Sequence, residues 1–195
     1  LLVTPKFKYQ SCGMITTASR NRQRSSLGTS SGMENLGNLF KGNVGSDRLA
    51  AIDLLDIENP KEVTYGELDS SCNALARGLV RRGLGVGDRI AILSQNRVEF
   101  IEVLFGALRA GCVPVPINIK LSSDMVRIIL EDAEVKHAFT DSSRKPWPLD
   151  NLPHTDFDDD YSAFIDPGQF NSVDVNVDQV SMQLYTAGTT GRPKG

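Results

Sequence analysis

The chain has 195 residues, 40% of them hydrophobic and 23% charged, which places it in the ordinary soluble class with enough length to bury a core. Its net charge of −3 is uneven: residues 1–32 hold Lys6, Lys8, Arg20, Arg22 and Arg24 and no acid, leaving 16 basic against 24 acidic residues in 33–195, a balance that argues against a nucleic-acid partner. Cys12, Cys72 and Cys112 are odd in number and form no CxxC pair, so neither a disulfide framework nor a zinc site is indicated and a reducing cytoplasm is expected; the most apolar stretch, 100–119, is broken by Glu102, Arg109 and two prolines, so no integral membrane segment is expected.

Residues 1–32 are Ser- and Thr-rich, lack periodicity and begin with Leu, so they read as a segment outside the folded unit, with Met33 as a plausible start. An organellar presequence, upstream read-through or a floppy tail all fit that composition. A short apolar run at 49–52 is a candidate first strand. At 64–67, "TYGE" reads as a capping box, followed by Leu68, Cys72, Leu75, Ala76, Leu79 and Val80 on one helical face, with Gly83 as the stop. "RIAIL" at 89–93 is a continuous apolar run of the kind a strand buried on both faces shows.

Asn96 is expected to cap the helix in "RVEFIEVLFGALRA", whose stripe is Phe100, Val103, Leu104, Ala107 and Leu108 and whose stop is Gly111. "CVPVPI" at 112–117 is a strand with Pro114 and Pro116 at its exit. "SSDMVRIILEDA" at 122–133 is a helix by Met125, Ile128, Ile129 and Ala133, and "KHAFT" at 136–140 a third strand. Strand, helix, strand, helix, strand at these lengths is a parallel βαβαβ unit, so the class is α/β. Residues 141–178, with four prolines and the acidic run 156–160, are expected to form a long surface connection. "VSMQLYT" at 180–186 then alternates as a strand and leads into a glycine-rich loop.

That loop, "YTAGTTGRPKG" at 185–195, has the composition of an anion cradle. Gly188 and Gly191 allow close backbone approach, Thr186, Thr189 and Thr190 supply hydroxyl donors, and Lys194 supplies a point charge. GxxxxGK[ST] does not fit, because position 189 is Thr and Gly195 stands where Ser or Thr should follow; GxGxxG is absent.

The eleven residues closely resemble the phosphate-binding signature of the adenylate-forming superfamily, the acyl- and aryl-CoA synthetases, luciferases and peptide-synthetase adenylation domains, with Ala187 in place of the usual Ser. The likeness extends upstream over residues 33–195, where 63–118 is similar to the opening of acyl-CoA synthetases, including the Gly87-Asp88-Arg89 turn. It implies the first part of a large N-terminal domain cut after the phosphate loop, with residues 1–32 outside it. It further implies a fatty or aryl acid–CoA ligase that joins a small carboxylic acid to ATP with Mg2+, giving an acyl-adenylate, and transfers the acyl group to CoA. Thr186, Ala187, Gly188, Thr189, Thr190, Gly191 and Lys194 would hold the β- and γ-phosphates. The family's catalytic lysine and magnesium ligand would follow beyond Gly195, so these 195 residues alone are expected to be inactive. An enzyme loading a carrier-protein thiol and a non-catalytic anion-binding module are the alternatives.

Other chemistry-bearing residues read more blandly. His137 and His154 lack partners at ligand spacing, Cys112 reads as a core filler, Trp147 as packing, and Arg81 and Arg82 as favourable charges at a helix end. The acidic run reads as a solvated loop, with a cation site as the alternative.

Overall fold

The computed structural model describes residues 35–143, 146–176, 178–186 and 194–195; the basic leader lies outside the described residues. The chain divides into units 1–31 and 32–195, and every described residue belongs to the second.

Two strands, β1 (Leu49–Asp53) and β2 (Lys61–Thr64), form an antiparallel pair ahead of the main sheet. Helix α1 (Tyr65–Arg81) starts at the predicted capping box: the Glu67 amide donates to Thr64 Oγ1 at 3.3 Å, and the Thr64 amide donates to Glu67 Oε2 at 2.8 Å. Leu68, Cys72, Leu75, Ala76 and Leu79 are buried as predicted, whereas Val80 is 46% exposed. Gly83 and Gly111, at φ of 78° and 76°, follow the ends of α1 and of α2 (Val98–Arg109), where a Cβ would be strained.

Asn96 does not cap α2. The cap position falls on Arg97, whose guanidinium is held by Glu99 and Asp158 at 2.7 Å each, and the Val98 amide donates instead to Asp53 Oδ2 at the end of β1, 2.9 Å away. An orphan helix donor is thus satisfied from 45 residues upstream.

Strands β3 (Arg89–Leu93), β4 (Val113–Pro116), β5 (His137–Thr140) and β6 (His154–Asp156) form one parallel sheet in the order β4-β3-β5-β6. Pro114 and Pro116 lie within β4 rather than past it. An edge strand tolerates them because the Val113 and Ile117 amides make the bonds to Asp88 O and Ile92 O while the proline nitrogens alternate away from β3.

Side-chain alternation sorts the sheet into two faces. Ile90, Ile92 and Phe139 pack with α1 and α2; Ala91, Leu93, Val115 and Ala138 pack with α3 (Ser123–Asp132). The stripe of α3 is rotated from the predicted one: Val126, Ile129, Leu130 and Ala133 are buried, while Met125 and Ile128 are half-buried.

The expected surface connection at 141–178 is instead part of the fold. It supplies β6 and a short helix α4 (Tyr161–Phe164), and Phe157, Tyr161 and Phe164 enter the core beside Phe139. Asp156 is buried and Asp158 is engaged by Arg97 and Ser142, so the acidic run is structural rather than simply solvated. Among the described residues, no group of three or more His, Cys, Asp or Glu is placed to hold a metal, and no helix is long and apolar enough to cross a membrane.

Candidate functional site at the carboxyl end of the sheet

The segment leading to the glycine-rich loop runs beside the outer edge of β4. Gln179 Nε2 donates to Gly111 O at 2.9 Å and the Gln183 amide to Pro114 O at 3.0 Å, so chain and strand run in the same direction. The predicted strand over 180–186 is not formed in the described residues. Pro114 and Pro116 present no N–H to that edge, and a ladder needs donors from both partners.

Running parallel to β4, the segment carries Thr186 towards the carboxyl end of the sheet. There Thr186 and Lys194 exchange both backbone hydrogen bonds, at 3.0 and 3.2 Å, as an isolated antiparallel pair. Residues directly opposite in such a pair carry their side chains on one face, so the hydroxyl and the ammonium share a side. Of the seven predicted site residues the structure brings these two together; Ala187, Gly188, Thr189, Thr190 and Gly191 lie outside the described residues.

Tyr185, just before the pair, meets Gly195, just after it. A Cβ on Gly195 would stand 2.6 Å from Tyr185 Cζ, so a larger residue there would have to displace the ring. The Tyr185 hydroxyl accepts from Gln183 Nε2 at 2.8 Å and donates to Asp132 Oδ2 at 2.6 Å. Burial, then the bond to the Asp132 carboxylate, pushes this phenol up to about 12.

The same end of the sheet carries a cleft of about 1000 Å³, walled by residues 51–55 of β1 and its exit, 94–98 after β3, and 116–120 after β4. In open α/β sheets ligands bind outside the carboxyl ends of the strands. No motif in the sequence marks this cleft. Its only sequence signal is that two of its walls directly follow predicted strands.

The remaining chemistry-bearing groups are structural. His137 is buried between Phe139 and Phe164, with Nε2 2.9 Å from Thr155 Oγ1; burial, helped by the nearby Arg82 and His154 charges, lowers its pKa to about 4. His154 is exposed. Cys112 is buried and its thiol is pushed up to about 12 by desolvation, and Trp147 Nε1 donates to Asp141 O at 2.9 Å. Arg82 does more than favour a helix end, since it donates to Phe164 O at 2.7 Å and lies 3.8 Å over the Phe164 ring. Glu102, which no sequence pattern singles out, is a buried carboxyl that accepts from Tyr161 Oη at 2.7 Å and is raised by desolvation.

A sequence model of the family described as AMP-binding enzyme matches residues 41–195. A plipastatin synthase chain of Bacillus subtilis is 32% identical over 139 residues, covering 71% of this chain and 4% of its own length. The fatty acid–[acyl-carrier-protein] ligase ScoC of Streptomyces coeruleorubidus is 32% identical over 147 residues, covering 69% and 28%. Among solved structures, O-succinylbenzoate coenzyme A synthetase from Bacillus subtilis in complex with AMP superposes with a TM-score of 0.61 at 30% identity, covering 69% of this chain and 35% of that one. The chain therefore spans between 4% and 35% of the length of these three proteins.

Proposed function

Because this chain belongs to the AMP-binding enzyme family, and so to the adenylate-forming ligases, we propose that the protein carrying it is an ATP-dependent carboxylic acid–CoA ligase acting through an acyl-adenylate. The folded unit runs over 33–195, with 1–32 preceding it. Asn35 supports so early a start: it is buried and its Nδ2 donates to Leu108 O at 2.8 Å and Val173 O at 2.9 Å. Cys72 and Cys112, both buried free thiols, suit a cytoplasmic setting.

The observation that carries the reading is the Thr186–Lys194 backbone pair, which sets the two residues opposite each other with their side chains on one face. Ala187, Gly188, Thr189, Thr190 and Gly191 join them as the cradle of the β- and γ-phosphates. The acid's carboxylate attacks the α-phosphorus, the bond to the β-phosphate oxygen breaks, and pyrophosphate departs with its added negative charge. Donors placed at that charge would lower the barrier. Mg2+ would be held by the nucleotide's own phosphates rather than by a carboxylate cluster among the described residues, and would supply charge neutralisation there. The thiol of CoA then displaces AMP from the acyl carbon.

Likeness to a coenzyme A synthetase supports CoA as acceptor. A carrier-protein thiol is the second reading, favoured by the 32% identity to an acyl-carrier-protein ligase. Acid-dependent exchange of labelled pyrophosphate into ATP by the protein carrying this sequence tests the adenylation step. Lys194→Ala is expected to lower it about 100-fold, the usual cost of one donor to a developing charge. Unchanged exchange removes the lysine from the site, and absence of exchange with any acid leaves a non-catalytic anion-binding module. Thioester formation on CoA against that on an acyl carrier separates the two acceptors.

A further inference from the structure

Both feet of the loop converge on one side chain. Thr186 follows Tyr185 directly in sequence, and Gly195, next to Lys194, lies against the Tyr185 ring so closely that a Cβ would approach Cζ and the two Cε carbons to 2.6–2.9 Å. The hydroxyl of that ring is engaged on both its donor and its acceptor side. It bonds to Asp132 Oδ2, on the last residue of α3 and 53 positions away, and receives the Gln183 side-chain amide. The ring also packs on the aliphatic cluster to which Leu130, Ala133 and Val115 belong. Together with the bond of Gln183 to Pro114, on the far side of Leu184, these contacts fix the neck of the loop to the sheet.

We infer that Tyr185 is a positioning residue for the Thr186–Lys194 pair: braced by Asp132, it sets where that pair stands and hence where the Lys194 charge meets the phosphates. The inference rests on the reading of the loop as a phosphate cradle. It adds a residue that touches neither nucleotide nor acid and acts through the backbone pair beside it. Two features make the brace stiff. The hydroxyl-to-carboxylate bond is charge-assisted, and Gln183, two residues earlier on the same segment, fills the acceptor side of the same oxygen.

The test uses Tyr185→Phe, which keeps the ring over Gly195 and deletes the hydroxyl, Asp132→Ala, and the double variant. Amide hydrogen exchange at Thr186 and Lys194 reads the neck without any nucleotide. Each single variant is expected to speed it about tenfold, and the double variant no further than Tyr185→Phe alone, because deleting the hydroxyl already removes the bond to Asp132 together with the one from Gln183. In the protein carrying this sequence, the same variants are expected to raise the KM for ATP about tenfold with the KM for the acid unchanged, a split that general loosening of the fold does not produce. Wild-type amide exchange in Tyr185→Phe overturns the brace. Faster amide exchange with an unaltered KM for ATP overturns the positioning role. Failure of the phosphate reading shows separately, as pyrophosphate exchange indifferent to Lys194→Ala, since the amide measurement needs no ligand.

Discussion

On the α1–α2 face of the sheet, β5 presents Phe139 to Phe157, Tyr161 and Phe164 with ring centroids 4.9–6.2 Å apart, whereas on the α3 face the same strand presents Ala138 to a layer of Ala91, Leu93, Val115, Val126 and Ile129. The first face carries the aromatic mass and, among its buried titratable groups, His137 and Glu102. The second is aliphatic, and it is the face onto which Tyr185 docks. Anchoring and candidate chemistry are thereby separated: the heavy face fixes the fold, and the loop hangs from the lighter one, where a change in its neck leaves the aromatic core untouched.

The largest effect expected from this asymmetry is at Phe139, fully buried among three aromatic rings. Phe139→Ala should cost about 3–5 kcal/mol in urea unfolding, the usual loss for a large aromatic in a close-packed site. Ile129→Val on the opposite face should cost about 1 kcal/mol. Equal losses at the two positions would break the comparison.

Next comes the pH dependence. His137 is held neutral by burial, with a folded pKa of about 4 against an ordinary 6.5. Above 6.5 neither state binds the proton and the contribution is fully present. As pH falls below 6.5 the unfolded chain takes up the proton first, so stability declines until the folded state also protonates near 4. The decline attributable to this one group is about 3 kcal/mol. His137→Gln should flatten that part of the profile, and a profile unaltered by the substitution would show that the aromatic face does not carry the pH sensitivity.

Much of this arrangement is legible in the sequence, and the exceptions have physical causes. α1, β3, α2, β4, α3 and β5 appear as periodic runs with capping or stopping residues in the text itself. β6 and α4 do not, because Phe157, Tyr161 and Phe164 sit among acids and prolines whose composition alone reads as loop. β2 buries only Val63 and so leaves no alternation to detect. The α2 cap comes from Asp53 and the loop brace from Asp132, partners 45 and 53 residues from the groups they hold, and no local pattern encodes contacts of that span. At the candidate site residue types suggest an anion cradle, of which the structure pairs Thr186 with Lys194; the cleft and the Tyr185 contacts depend on how β1, β4 and α3 are brought together.

The smallest expected effect compares the helix starts of the two faces. α1 begins with a reciprocal box, Thr64 and Glu67 each satisfying the other's backbone donor, while α3 begins with Ser122 Oγ accepting from the Met125 amide at 3.3 Å, and no reciprocal bond accompanies it among the contacts at that cap. Thr64 also closes β2, where it pairs with Leu49. Replacing either cap by Ala should cost about 1 kcal/mol, with Thr64→Ala the larger of the two because it removes two bonds, the acceptor of the Glu67 amide and the hydroxyl's own bond to Glu67 Oε2. Chemical-denaturation midpoints of the two single variants read the order directly. If Ser122→Ala proved the more costly, α3 would be the more tightly specified layer, and the division between a heavy fixing face and a light supporting one would have to be redrawn around the helix ends rather than the aromatic rings.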